Sequence, residues 1–91
     1  MHITKNEAQS RYEMQLYGEV VGVIDYTVEG DVVDLPHTGV EPAHGGKGYA
    51  GKLAEFALDD IQAQGKRVRP TCPYIAKYID KHPQYNALLA E

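Results

Sequence analysis

His44-Gly45-Gly46-Lys47-Gly48-Tyr49-Ala50-Gly51-Lys52-Leu53 places four glycines within residues 45–51 and leads directly into an apolar stripe at Ala50, Leu53, Ala54, Ala57, Leu58 and Ile61. The stripe recurs at three and four residues, the period of an amphipathic helix, and predicts a helix over residues 47–64. A glycine loop that opens a helix is suited to hold an anion. The first amides of a helix lack internal acceptors, the helix dipole puts partial positive charge there, and glycine lets a ligand approach the backbone closely. Lys47 and Lys52 add cationic side chains. The same residues also satisfy a purely structural reading, a tight strand-to-helix turn with no ligand.

On the carboxyl side, Gly65 stands where a left-handed residue closes a helix, and Lys66 and Arg67 lie near the negative end of the dipole. Arg67-Val68-Arg69 reads as a short strand before Pro70. Strand, helix and strand in this succession imply a right-handed crossover, with the last strand parallel to the one that ends near Val40. Thr71-Cys72-Pro73 then begins a second helix with proline at its favoured first position, and Tyr74, Ile75, Tyr78 and Ile79 mark one apolar side. His82-Pro83 ends that helix, and residues 85–89 form a terminal helical turn.

On the amino side, residues 11–17 alternate, with Tyr12, Met14 and Leu16 facing one way and Arg11, Glu13, Gln15 and Tyr17 the other. Gly18-Glu19 suits a type II′ hairpin loop. Residues 20–28 are rich in β-branched side chains and apolar on both sides near their start, which predicts an inner strand covered on both faces. After a turn at Glu29-Gly30-Asp31, a third strand runs from Val32 towards Val40, with a bulge or interruption expected at Pro36. The expected class is therefore α/β (α+β), an antiparallel meander followed by a crossover helix and a parallel strand, with 1–91 as one domain.

The formal charge, 9 minus 13 or −4, disfavours a nucleic-acid partner, so an anion has to be held locally by amides and one or two lysines. No apolar run reaches membrane-spanning length, and the start has no signal-peptide core. With one cysteine, Cys72, a disulfide framework is excluded, and a cytoplasmic location is expected. Residues 46–53 approach a nucleotide-hydrolase phosphate loop, but Leu53 stands where the magnesium-binding hydroxyl belongs. The phosphate is then better assigned to a cofactor.

The loop resembles the pyrophosphate loop of the GNAT acetyltransferases, in which Arg or Gln is followed at the third and fifth positions by Gly and by Gly or Ala. Gly45, Gly48 and Ala50 occupy those positions, so Gly45 departs from the pattern. The chain is further similar to a subgroup of short single-domain predicted N-acetyltransferases through His37-Thr38-Gly39-Val40, Pro70-Thr71-Cys72-Pro73-Tyr74 and His82-Pro83. The resemblance implies a reduced GNAT fold with a V-shaped cleft. It implies acetyl-CoA as cosubstrate, the pantetheine arm along Val40 and the diphosphate on Gly45, Gly46, Lys47, Gly48, Tyr49, Ala50 and Gly51. It also implies an unidentified amine acceptor; separately, a monomer or a weak homodimer is expected, since nothing in the sequence demands a second copy.

Four residues are candidates for the chemistry. Cys72 opens a helix whose dipole favours thiolate, and it is either a nucleophile or proton-transfer group or a small side chain packed behind the cleft. His37 is either a general base or a histidine paired with backbone. Glu41 either activates an amine through water or is simply solvated. Tyr78, with Tyr74 beside it, either protonates a departing thiolate or belongs to the core. No histidine or cysteine spacing suggests a metal. A non-enzymatic acyl-CoA-binding module and a protein-interaction domain with a structural glycine loop remain open beside the enzyme.

Overall fold

Alternating apolar residues in the amino-terminal half build a meander. In the computed structural model, which describes residues 1–90, β1 is His2–Asn6, β2 Arg11–Leu16, β3 Glu19–Glu29 and β4 Val32–Val40, each antiparallel to the strand before it. α1 (Tyr49–Ala63) then crosses to β5 (Arg67–Arg69), which lies parallel to β4, and α2 (Pro73–Lys81) follows. The sheet order is β1-β2-β3-β4-β5. A short 3-10 segment, Pro83–Leu88, brings Leu89 beside Val68 at the outer edge of β5. The meander, crossover and parallel strand match the sequence expectation, and β1 is an addition to it.

Register places the core on one face. Tyr12 and Met14 stand opposite Ile24 and Gly22, which stand opposite Thr38 and Val40, while Val68 stands opposite Val33. Leu53, Ala54, Ala57, Leu58 and Ile61 of α1 are fully buried against this face, and Ile75 and Ile79 of α2 extend the cluster. Each such Leu or Ile contributes about 1.5–3 kcal/mol by leaving water. A β-carbon on Gly22 would lie 2.9 Å from Leu53 Cδ1, so the missing side chain lets α1 settle close to β3. Two tyrosines tie the helix further along: Tyr12 Oη donates to Asp60 Oδ2 and Tyr85 Oη to Asp59 Oδ1, both at 2.8 Å.

Four details differ from the sequence reading. The opposite face of the sheet, with Arg11, Glu13, Val23, Asp25, His37 and Gly39, is covered by no helix among the described residues, so β3 is buried on one side only. Glu13 is nevertheless buried, because Arg11 and Asn6 close over its carboxylate. The β2–β3 loop is Tyr17-Gly18 with Leu16 opposite Glu19, and both loop residues have positive φ (51° and 81°), the geometry of a type I′ turn. α1 starts at Tyr49, two residues later than its apolar period suggests, because Gly48 holds a left-handed φ of 76° as its cap.

At Pro36 the expected bulge is present: Tyr26 faces both Leu35 and Pro36 between the pairs Asp25–His37 and Thr27–Asp34. Pairing resumes beyond it and continues to Val40. Gly65, with φ of 70°, closes α1 with the two bonds of a Schellman motif, Gly65 N–H to Gln62 O and Lys66 N–H to Ile61 O.

Candidate functional site

The two parallel strands stay together only briefly. β4 and β5 pair at Val32–Arg67, Val33–Val68 and Asp34–Arg69, after which Pro70 ends β5 and the bulge at Pro36 bends β4. At the point of parting, Cys72 N–H donates to Leu35 O at 2.9 Å and Thr71 Oγ1 donates to Asp34 Oδ1 at 2.6 Å. These bonds anchor the start of α2. From His37 to Val40, β4 keeps β3 on one side and has no strand on the other, so its outer backbone groups are free to pair with a ligand.

The glycine loop opens beside that free edge. Among the described residues, the amides of residues 46–51 donate to no protein acceptor, and the first bond of the helix runs from Lys52 N–H to Gly48 O. Gly46 and Gly48 both hold φ of 76°, and a β-carbon on either would meet nothing within 4 Å. The space over these amides is therefore open, and a diphosphate fits there by both charge and room. Lys47 and Lys52 are exposed at its rim. Gly45 is different: its amide donates to Pro42 O at 3.2 Å and is not among the free ones. Tyr49 and Ala50 are half-buried at the base of α1, where the Tyr49 ring lies 6.2 Å from that of His44.

Cys72 caps α2 and is 7% exposed. Its Sγ lies 3.6 Å from Thr38 Oγ1 on the helix-facing side of β4. Burial pushes the thiol pKa up, but the Ile75 amide, the Thr38 hydroxyl and the Tyr74 amide favour the thiolate more, and the net shift is downward. The first turn of α1 faces the same space, since a β-carbon on Gly51 would lie 3.6 Å from Tyr74 Oη and 3.7 Å from Tyr78 Cε2. Burial raises the pKa of both tyrosines, and for Tyr78 the nearby Glu55 adds to it. Both are thus neutral proton donors near pH 7. Tyr78 also stacks on His82 at 3.9 Å between ring centres.

His37 and Glu41 do not join this group. His37 is exposed on the open face, in register with Asp25, and a β-carbon on its neighbour Gly39 would lie 3.1 Å from His37 Nε2. Glu41 lines a cavity of ≈ 330 Å³ together with Arg11, Val23 and Gly39. The candidates therefore divide between the two faces of the sheet, with the free edge of β4 between them. Thr38 and Arg11 escaped the sequence reading; face parity with Val40 was the available signal for Thr38, and nothing local marks Arg11. Among the described residues, no group of three His, Cys, Asp or Glu could hold a metal ion, and no helix is long and apolar enough to cross a membrane.

Comparison with known proteins bears on this geometry. The curated relatives include Protein NATD1 of human and of chicken, each 42% identical over 52 residues, 57% of this chain. The chain spans about half the length of these relatives, 46% and 47% respectively. Among solved structures, a GCN5-like protein from Staphylococcus aureus superposes with a TM-score of 0.75 at 18% identity, covering 98% of this chain and 87% of its own. The ribosomal-protein-S18-alanine N-acetyltransferase of Escherichia coli gives 0.66 at 16% identity, covering 78% and 49%. At such identities these two speak for the fold alone, a reduced form of the acetyltransferase sheet. Family is decided by the profile of the GCN5-related N-acetyl-transferases, which matches residues 11–88; the chain belongs to that family, whose chemistry is acyl transfer.

Proposed function

We propose that the chain is an acetyl-CoA-dependent N-acetyltransferase in which an amine attacks the thioester directly. The observation that carries this reading is the juxtaposition of two unsatisfied backbone surfaces, the free amides of residues 46–51 and the free edge of β4. The first accepts a diphosphate and the second an extended amide-bearing arm, which is the chemistry of CoA. Bound acetyl-CoA supplies an activated acyl group. The free β4 edge near Val40 orients that arm and offers an amide to polarise the carbonyl. His37 and Glu41 lie on the open face, the side from which an amine approaches, and take its proton directly or through water. Tyr78 or Tyr74, neutral and beside α1's first turn, returns a proton to the departing thiolate.

Gly45 supports one competing reading, an acyl-CoA-binding module without turnover, because the usual Arg or Gln is absent there. Calorimetric titration with CoA followed by acetyl transfer to a panel of amines separates the two. Binding without transfer to any amine leaves the module; no binding rejects both.

Lys47→Ala is expected to weaken CoA binding by about fivefold, with a larger effect at low salt, as one exposed cation near a diphosphate should. Dephospho-CoA should respond equally if the lysine serves the diphosphate. An unchanged affinity for both ligands would make Lys47 an ordinary solvated residue.

Cys72 is expected to be shielded from iodoacetamide by bound CoA. Because its pKa is lowered, the alkylation rate of the free protein should reach half its plateau at a lower pH than that of an ordinary free thiol measured alongside it. Cys72→Ala should retain most of the turnover if the thiol only lines the cleft. A nucleophilic Cys72 would instead gain about 42 Da from acetyl-CoA, and its loss would abolish transfer. Equal alkylation rates with and without saturating CoA would remove Cys72 from the site.

A further inference from the structure

The cavity on the open face is lined by one cationic side chain that the transfer chemistry does not use. Arg11, the first residue of β2, lines the cavity with Val23, Gly39 and Glu41. Its Nε donates to Glu13 Oε2 at 2.6 Å, and Asn6 Nδ2 donates to the same oxygen at 3.1 Å. Glu13 is only 5% exposed. Arg11 beside it holds its carboxyl below the usual range; burial opposes this and Asn6 reinforces it. Glu13 is therefore a fixed, buried anion with one evident task, gripping the guanidinium from behind.

That grip consumes Nε and leaves the outer nitrogens. Among the described residues, Nη1 and Nη2 of Arg11 have no protein partner. These two nitrogens form the fork that binds a carboxylate through two parallel hydrogen bonds. Register locates the fork: Glu13 stands opposite Val23, and Val23 opposite Gly39, so a guanidinium drawn to Glu13 lies level with Gly39. Glu41 follows two residues further along the chain, and β2 and β4 are separated by two strand spacings, roughly 10 Å. A cation and an anion thus stand on different walls of one small cavity. A molecule that matches both carries an anion and an amine a few atoms apart, whereas a polyamine would face Arg11 with like charge.

We infer that this cavity selects acceptors that carry a carboxylate as well as the amine, with the carboxylate on the Arg11 fork and the amine towards Glu41. The word acceptor rests on the acetyl-transfer reading, but the selectivity itself does not. Glu13 acts here as a positioning residue.

The test uses matched pairs that differ only by the carboxylate: L-lysine against cadaverine, and β-alanine against ethylamine. Equilibrium binding to the CoA-loaded protein is measured by ligand-observed NMR, and acetylation of the same compounds by release of CoA. In at least one pair the carboxylate-bearing member should bind about tenfold more tightly, as a charge-assisted fork predicts. Arg11→Gln should remove that preference without changing affinity for CoA. Arg11→Lys keeps a cation for Glu13 and so protects the fold, yet it lacks the fork and should reduce the preference to about twofold. If the binding preference appears and vanishes in these variants while nothing is acetylated, the selectivity stands and the transfer reading fails. If amines are acetylated without regard to the carboxylate, if the preference survives in both Arg11 variants, or if none of the four compounds binds, the inference is overturned.

Discussion

Gly48→Glu should raise the dissociation constant for CoA by about a hundredfold, close to 3 kcal/mol, while the protein stays folded. Two costs add. The new carboxylate stands in the open space over Gly48, among the amides that would otherwise face a diphosphate. The backbone there holds φ of 76°, which costs any residue with a β-carbon about 1 kcal/mol, so a substituted loop relaxes when free and CoA has to restore that conformation on binding. Gly48→Ala isolates the second cost and should leave CoA binding within about fivefold of the parent. Calorimetry on both variants, each checked for an intact melting transition, gives the comparison. A folded Gly48→Glu protein with parental affinity would detach the glycine loop from the cofactor.

Leu53→Ala carries the largest expected loss of stability, about 3 kcal/mol, in the range for leucines removed from a packed core. Leu53 is fully buried, at the end of α1 that carries the glycine loop, and its Cδ1 occupies the space left by the missing side chain of Gly22. Sheet and helix cannot both collapse into that void, so transfer energy and contact energy are lost together. For a chain of this size the melting temperature should drop by about 15 °C. Saturating CoA should recover part of the drop, because a ligand that binds only the folded state stabilises it by mass action. A drop of less than about 5 °C would mean that the first turns of α1 are loosely packed on β3.

Much of this arrangement is legible in the sequence because it follows from periodicity and from special residues. Tyr12 and Met14 announce one face of β2, the stripe from Leu53 to Ile61 announces the buried side of α1, and Pro73 and Gly65 mark helix ends by their backbone preferences. β1 was not legible because Ile3 is its one strongly apolar side chain, and the strand is held by pairing with β2. The one-sided burial of β3 was also hidden. Val20, Val21, Val23 and Ile24 read as apolar on both faces, but Val21 sits at an irregularity where Met14 faces Gly22 and Gln15 faces Val20. A local shift of register is set by the partner strand and leaves no mark in the strand's own pattern. The same limit applies to the site. The glycine loop and Cys72 declare themselves by residue type, whereas Arg11 enters the cavity only through the fold.

The two tyrosine ties of α1 have a mechanical consequence. Asp59 and Asp60 are adjacent, so their side chains leave the helix axis in directions roughly 100° apart. One is held by Tyr85 beyond α2 and the other by Tyr12 on the sheet. A rod gripped at two such bearings cannot roll about its long axis without breaking one grip. Roll is the motion that would swing the amides at the opposite end of α1 away from the free edge of β4. The aim of the free amides at residues 46–51 is thus set about three turns away from them, by two hydroxyl groups on other elements of the fold.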